Sequence, residues 1–525
     1  MKEKRVTSIE LPAAKENIDQ ALRFFRQRLD DEAISKEIVM ETMLVIEALF
    51  HNLLAQGLSR KTTLNLSCRK NLGNVVIQIR YKGKMAYLFS EEDDEISPEN
   101  HILQAYEDRL NSSYISGINS FQITVKRKHL RSLLYCGIGI LCAFLAYLPI
   151  RGLMTKDEQH NIVVNYLQPI QQVFGNAAFM IGAPVTFLSL LRNLTNTYIL
   201  SERDSIVRRL GIKAVTTSVI SILLAIIMGF LLLSHYQIPG VYVERESAGG
   251  LTELIAEIIP ASIFEPFETV SPIPLIVLAL INTYALCSSG KHFMKLKQTV
   301  DICYSVFSSM IGLVLYVFPC IFFVMFLELL LINDLVILQF LIGGSLLILA
   351  GSASLAVFYL IRLKIGGVKI LSFLKKIPSL LMENCRINSA IDAVPFNIRY
   401  CVRNYGMNRK RLERMLPILA QIMFDGNCYL LMSVALFIAF CLGVNITWFI
   451  LLITALLVFF LSLGAPNQPG GMLIGSMIIL KYFGLNDTKY TFIAIFFEAA
   501  LGIVQNLINT TGDIVTATIE EQKAS

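Results

Sequence analysis

Two aspartates in the second half of the chain stand alone in strongly apolar stretches. Asp425 lies in ILAQIMFDGN (418–427) and Asp513 in NLINTTGD (506–513), and neither has a Lys or Arg within reach in its own segment. A carboxylate at membrane depth is costly and usually serves a function. Because hard cations prefer oxygen ligands, we expect both aspartates to bind a cation such as sodium. The alternative is a buried ion pair with a Lys or Arg from another part of the chain.

The rest of the sequence carries no pattern typical of an enzyme or of a nucleic-acid-binding protein. It has no Walker loop and no HExxH motif, and its six histidines are scattered. The ten cysteines form no CxxC pair, so we expect reduced thiols in the core rather than a metal site. The net charge of +6 requires no nucleic acid, because the basic residues concentrate at the ends of apolar segments.

The segments that hold the two aspartates are expected to be helices of a multi-pass protein of the cell membrane. The chain is 54% hydrophobic and 16% charged, which is more apolar than a soluble protein of this size. Eight runs of spanning length follow residue 130, at about 132–151, 165–192, 208–235, 271–289, 303–332, 335–362, 416–442 and 490–516. Basic clusters within 203–213, 291–297, 362–376 and 403–414 place those loops and both termini in the cytoplasm.

Two further apolar stretches are interrupted by polar, Gly and Pro residues. They are named hairpin one (about 366–398) and hairpin two (about 446–482), and the second contains LGAPNQPGGMLIG (463–475). Backbone groups freed at membrane depth must bind something, and paired broken segments indicate a secondary transporter. We expect two re-entrant hairpins; for the second, a tight extracellular loop is the alternative.

The first 125 residues, named the head, belong to a different physical class. Of the 46 Lys and Arg and 40 Asp and Glu residues, 38 lie within residues 1–132. Apolar residues in 33–56, including Ile34, Ile46 and Leu53, recur at helical spacing. KTTLNLSCR (61–69), VVIQIRY (75–81) and INSFQITVK (118–126) predict strands. The fold class expected is an α-helical polytopic membrane protein with an N-terminal α+β cytoplasmic domain, divided at about 125/126.

Several residues of the head loosely resemble the ATP-binding domain of anti-sigma-factor kinases and histidine kinases. The shared features are Glu47 and Asn52 on the predicted helix and Gly83 after the second strand. That family has a metal-binding Asn where this chain has His51, and an adenine-recognising Asp where it has Tyr81. These departures argue against ATP as a cofactor and favour a degenerate, regulatory or scaffolding copy.

The order of motifs in residues 130–520 resembles the dicarboxylate and amino acid:cation symporter family of glutamate-transporter homologues. The motifs are PVTFLSLLRNL (184–194), RRLGIKAV (208–215), AVPF (393–396), ILAQIMFDGN (418–427), LGAPNQPGG (463–471) and NLINTTGD (506–513). The resemblance implies a homotrimer in membrane lipid with a static scaffold. Its mobile transport domain would consist of spans three, six, seven and eight and both hairpins.

The same resemblance implies the ligands of two sodium ions. Asp513, the Asn509 carbonyl and the backbone at Met423 would bind one ion, and Asp425 and Ser221 would bind the other. Met423 departs from the family, which has an Asn there, so one sodium site loses a side-chain oxygen.

The substrate pocket implied by the resemblance has lost its charges. Gly502 and Gln505 stand where the family has an Asp for the substrate amino group and an Arg for a side-chain carboxylate. Asp392, at the tip of hairpin one, either accepts an amine or caps a helix. The predicted substrate ligands are Ser389, Asp392, Asn427, Gln468, Gln505, Asn506 and Asn509.

Two functions remain open at this point. The first is a symporter that couples entry of sodium, or of protons, to transport of a small polar organic solute such as a monocarboxylate or an amino acid. The second is a transporter-like receptor that signals to a cytoplasmic partner through its head.

Overall fold

The computed structural model describes residues 7–32, 34, 36–55, 58, 62–71, 74–83, 102–103, 105–106, 110–115, 118–125, 131–203, 205–233, 258–332, 335–385, 390–441, 446–464, 471–483 and 488–524. Within these residues, strands occur in the head, and nearly all of the rest is helical.

The described part of the head is an antiparallel sheet with two helices packed on it. The strands follow the order β1-β2-β3-β5-β4. Their bounds are β1 Thr7–Pro12, β2 Thr63–Asn71, β3 Asn74–Lys82, β4 Leu110–Ile115 and β5 Ile118–Val125, and the helices are α1 Ile18–Asp31 and α2 Lys36–Ala55.

The apolar stripe predicted on the helix of the head is confirmed. Ile46 and Leu49 are fully buried in one core with Phe121 of β5. The three predicted strands are confirmed as β2, β3 and β5. The sequence analysis missed β1 and β4, and in β4 the sequence LNSSYI is too polar to show the alternation that indicates a strand.

The helices after the head lie over the predicted spans and hairpins. They are α3 Arg131–Leu153, α4 Lys156–Ile162, α5 Gln168–Arg203, α6 Ser205–Leu233, α7 Glu265–Glu268, α8 Pro272–Cys287, α9 Phe293–Tyr316, α10 Phe318–Ile332, α11 Leu335–Ile365, α12 Ile370–Asn384, α13 Ala390–Tyr400, α14 Arg409–Ile422, α15 Asp425–Cys441, α16 Trp448–Gly464, α17 Gly471–Tyr482 and α18 Thr488–Ala524.

Six helical stretches in the described part of the chain are long and apolar enough to cross a membrane. One of them, Ile38–Ala55 in α2, packs in the core of the head. The other five are Cys136–Leu153, Lys156–Tyr198, Ile206–Leu232, Lys295–Tyr316 and Arg409–Phe440.

The stretch predicted as one span at 303–332 is interrupted, since two helices occupy it. Helix α9 ends at Tyr316 and α10 begins at Phe318. Pro319 has no N–H to donate, and its ring clashes with the carbonyl four residues earlier, so α9 cannot continue through it. Helix α10 then packs against α3. A Cβ on Gly139 of α3 would lie 2.5 Å from the Pro319 carbonyl oxygen, so a glycine is needed at this contact.

Each interrupted stretch forms two short helices. Hairpin one contains α12 and α13, of 15 and 11 residues. Hairpin two contains α16 and α17, of 17 and 12 residues. The tips were predicted at 387–395 and within 463–475, and of these residues 387–389 and 465–470 lie outside the described residues. Asp392, predicted at the first tip, lies in helix α13. At a rise of about 1.5 Å per residue, each helix is shorter than the membrane core of about 30 Å.

Candidate functional site

The site is built around a break in the stretch predicted as the seventh span. Helix α14 ends at Ile422, and Met423 is extended, with φ −93° and ψ 114°. Helix α15 then begins at Asp425. A helix end leaves main-chain carbonyls without helical partners and a helix start leaves free amides. The break therefore places both kinds of backbone group beside a carboxylate.

Asp425 is fully buried and is held by hydroxyl groups from two other helices. Thr217 of α6 donates from Oγ1 to Oδ1 at 2.8 Å. Tyr359 of α11 donates from its hydroxyl to Oδ2 at 3.1 Å. Ser218, next along α6, also hydrogen-bonds the carboxylate. These donors are neutral, so they orient Asp425 without neutralising its charge.

Asp513 lies on α18 beside the same point. It is 3% exposed, and its Oδ1 has no hydrogen-bond partner among the described residues. A Cβ on neighbouring Gly512 would lie 3.0 Å from the Tyr359 hydroxyl and 3.1 Å from Asp425 Oδ2. Asp425 and Asp513, named the carboxylate pair, are close enough to interact electrostatically. Repulsion between two like charges in one buried site is relieved by a bound cation or by a proton on one of the carboxylates.

The carboxylate pair has further hard oxygens near it in sequence. Ser221 lies one turn beyond Thr217 on α6, and Thr510 lies one turn before Asp513 on α18. Within the described structure, the hydroxyl oxygens of Ser221 and Thr510 are buried without a hydrogen-bond partner. Carboxylate, hydroxyl and main-chain oxygens are the donor set that suits a hard cation, so these residues fit sodium.

A cluster of three side-chain amides adjoins the carboxylate pair. Gln505 Nε2 and Asn509 Nδ2 both donate to Asn427 Oδ1, at 2.6 and 2.9 Å. Asn509 Oδ1 in turn accepts from the Gly426 main-chain N–H at 2.8 Å. These three residues are named the amide cluster. Asn509 connects it to the backbone next to Asp425.

A fourth amide links the site to hairpin one. Asn506 of α18 donates to the Asn384 carbonyl at the end of α12, at 3.5 Å. Asn384 donates to Asn397 Oδ1 of α13 at 2.9 Å, which ties the two helices of the hairpin together. The hairpin is therefore attached to the same face of α18 that carries the amide cluster.

The predicted site residues fall into two groups. Asp425, Asp513, Asn509, Ser221, Met423, Asn427, Gln505 and Asn506 are gathered around the junction of α6, α14, α15 and α18. Ser389 and Gln468 lie outside the described residues, and Asp392 lies in α13. Helix α18 is unbroken at Asn509, and the contacts of this residue are made by its side chain.

Sequence reasoning missed Thr217, Tyr359 and Arg362. The Thr217-Ser218 pair lies one turn before Ser221, so helical spacing alone would have placed it on the same face. Tyr359 and Arg362 of α11 gave no such signal. Arg362 was predicted to belong to a cytoplasmic basic cluster, which the structure does not test; its Nη2 donates to Thr516 Oγ1 of α18 at 3.0 Å.

The fold and the site together define a class of protein. Broken apolar helices that meet at buried carboxylates and amides are typical of secondary transporters. The chain matches the sodium:dicarboxylate symporter family over residues 129–522 and belongs to it. The resemblance predicted from the motifs is thereby confirmed. No curated protein matches the chain. Membership makes this a membrane-embedded transport protein of a sodium-coupled family that consists of transporters, not enzymes.

Gly426 permits the close approach of α15 and α18, and this gives a first prediction. A Cβ there would lie 2.6 Å from the Gln505 carbonyl and 2.8 Å from Asn509 Oδ1. Gly426→Ala should force the helices apart and reduce stability by about 1–3 kcal/mol, seen as a lower midpoint of thermal unfolding in detergent. Gly211→Ala on α6 is the control, since its Cβ meets nothing within 4 Å. Equal midpoints for the two variants would contradict the close approach.

Proposed function

We propose that this protein is a symporter that couples entry of sodium to transport of a small polar organic solute such as a monocarboxylate or an amino acid. One observation supports this most directly: the Asn509 side chain contacts both the Gly426 amide beside Asp425 and Asn427, another member of the amide cluster. A cation bound at the carboxylate pair and a solute bound at the amides would share this residue. Each would then bind more tightly when the other is present.

The chemistry of the amide cluster defines the class of solute. Asn427, Gln505 and Asn509 offer neutral donors and acceptors that suit one carboxylate or an uncharged polar group. A second carboxylate would need a cation, and Gln505 has none to offer. Burial of an unpaired charge costs far more than neutral hydrogen bonds return.

The proposed movement rests on the two hairpins. Helices too short to cross the membrane are accommodated if each hairpin enters and leaves on one side. The chain would then have eight spans with both termini in the cytoplasm, and a homotrimer would provide the static scaffold. Spans three, six, seven and eight and both hairpins would move together. Hydrogen bonds of Thr217, Tyr359 and Asn506 join the spans to one another and to hairpin one, and α17 of hairpin two packs against α15 and α18.

Sodium dependence should require both members of the carboxylate pair. Asp425→Asn and Asp513→Asn should each abolish the rise in unfolding temperature that sodium chloride gives over choline chloride, because the site loses the charge that binds the ion. Asp157→Asn, an exposed position on α4, is the control. A full sodium response in both site variants would refute the proposed cation site.

Acidic amino acids should bind poorly. We expect calorimetry to give affinities for aspartate and glutamate at least about tenfold weaker than for serine or asparagine, because a second carboxylate finds no cation. Gln505→Arg should restore aspartate binding, whereas Gln505→Met should not. Tight binding of aspartate to the unaltered protein would contradict the neutral pocket.

A specific contact supports the second candidate function, a receptor that signals through its head. Tyr106 of the head donates from its hydroxyl to the Ile391 carbonyl of α13 at 2.7 Å. The Ile391 side chain packs against the core of the head, and Glu47 of α2 attracts Arg409 at the start of α14. The head is thus docked on hairpin one, where it can respond to the state of the site.

The head is proposed to act by docking and not by binding ATP. Tyr81 is 4% exposed and stacks on Phe121, with ring centroids 6.2 Å apart. Burial raises the pKa of Tyr81 to about 12, so this side chain is neutral at physiological pH. A neutral core phenol cannot replace the carboxylate that recognises adenine in the resembled domain.

Docking of the head predicts a local effect of Tyr106. In the full-length protein, Tyr106→Phe should speed hydrogen–deuterium exchange of the segment 390–405 by about fivefold, since a hydrogen bond contributes about 1 kcal/mol. Tyr81→Phe is the control, because the Tyr81 hydroxyl has no hydrogen-bond partner in the described residues. Unchanged exchange in Tyr106→Phe would contradict docking.

Uptake measurements separate the two candidate functions. A symporter accumulates a labelled solute in vesicles when a sodium gradient is applied. A receptor binds the solute but does not accumulate it, and its binding should alter hydrogen exchange in α2.

A further inference from the structure

We propose that Arg362 is a tethered counter-ion of the carboxylate pair, so that the cation site takes one sodium ion instead of two. This inference rests on the proposed sodium-coupled function and concerns the number of ions.

Helix α11 places Arg362 at the edge of the cation site. Tyr359, three residues earlier on the same helix, donates to Asp425. Arg362 Nη2 donates to Thr516 Oγ1, and Thr516 lies one turn beyond Asp513 on α18. Residues three apart on a helix share a face. Arg362 therefore joins α11 to α18 one turn beyond Tyr359 on the first helix and one turn beyond Asp513 on the second.

Among the described residues, no anion is in contact with the Arg362 guanidinium. Its Nη1 is buried and has no hydrogen-bond partner in the described part of the chain. The two side chains in contact with the guanidinium among the described residues are neutral. Thr516 accepts a hydrogen bond through its hydroxyl oxygen, and the Phe358 ring centroid lies 5.7 Å from the guanidinium carbon. Arg362 and Asp425 attract each other. A buried cation without a contacting anion is stabilised by the nearest negative charges.

The net charge of Asp425, Asp513 and Arg362 together is then one negative unit. With both carboxylates ionised, the carboxylate pair contributes two negative charges and Arg362 one positive charge, which leaves one for a sodium ion to neutralise. Glu520, further along α18, already has Arg209 and Lys213 of α6 as partners, so Arg362 is not needed to pair with it. Met423 supports one sodium ion instead of two, because the methionine side chain offers no hard oxygen to a second ion.

The alternative is that Arg362 only ties α11 to α18 through Thr516. A structural tie and a counter-ion differ in one measurable property. Loss of a tie lowers stability equally at all sodium concentrations. Loss of a counter-ion creates a second negative charge, so it changes how steeply stability depends on sodium.

The test measures thermal unfolding of the full-length protein across a sodium chloride series at constant ionic strength, balanced with choline chloride. The binding coefficient is the slope of the logarithm of the folding constant against the logarithm of the sodium concentration. For the unaltered protein it should be about one. Arg362→Met should be least stable without sodium and should give a coefficient nearer to about two. Arg362→Lys keeps the charge, Thr516→Val removes the acceptor of the tie, and Lys364→Met removes an exposed charge from the same helix; all three should stay near the unaltered coefficient.

A double variant covers the case in which Arg362→Met does not fold. Adding Asp513→Asn returns the site to one net negative charge, so Arg362→Met/Asp513→Asn should be more stable in sodium-free buffer than Arg362→Met alone. Any of three results would overturn the proposal that Arg362 is a counter-ion. The first is an equal binding coefficient for Arg362→Met and the unaltered protein, and the second is a coefficient of about two for the unaltered protein. The third is a double variant that is less stable than Arg362→Met alone. An unaltered protein without any sodium response would instead overturn the proposed function.

Discussion

The structure depends on the cost of holding two carboxylates inside a membrane protein. Asp425 and Asp513 cannot be solvated there by bulk water, so the chain must supply polar groups in its place, as Thr217 and Tyr359 do for Asp425. This requirement explains why α6, α11, α15 and α18 converge on one point. It also explains why Gly426 and Gly512 occur there, because only residues without a Cβ allow the helices to approach this closely.

The proposed solute and ion sites share residues, so neither would be independent of the other. The amide cluster and the carboxylate pair lie on the same two helix segments, and the Asn509 side chain contacts both sides. Asn506 extends this arrangement to hairpin one through the Asn384 carbonyl. A change in occupancy at the ion site therefore has a contiguous polar route to a segment that is built from short helices.

The head adds a second attachment to that same hairpin. Its helix α2 is apolar enough to be taken for a membrane span, yet it packs against a sheet. Helix α2 also packs against α13, and the Tyr106 hydroxyl donates to the Ile391 carbonyl of α13. Hairpin one thus contacts both the candidate site and the head, so the proposed receptor function would act through it.

The sequence by itself determined the membrane class, the family, the broken segments and most residues of the site, because each is written in local runs of hydrophobicity or in short motifs. It did not reveal Thr217, Tyr359 or Arg362, since their roles depend on which helices meet and on how each is rotated. Arg362 illustrates the limit: the sequence showed only that it belongs to a basic cluster, and the tertiary structure shows that its guanidinium donates to Thr516. Side-chain direction follows from packing between distant segments, which charge patterns along the chain do not encode.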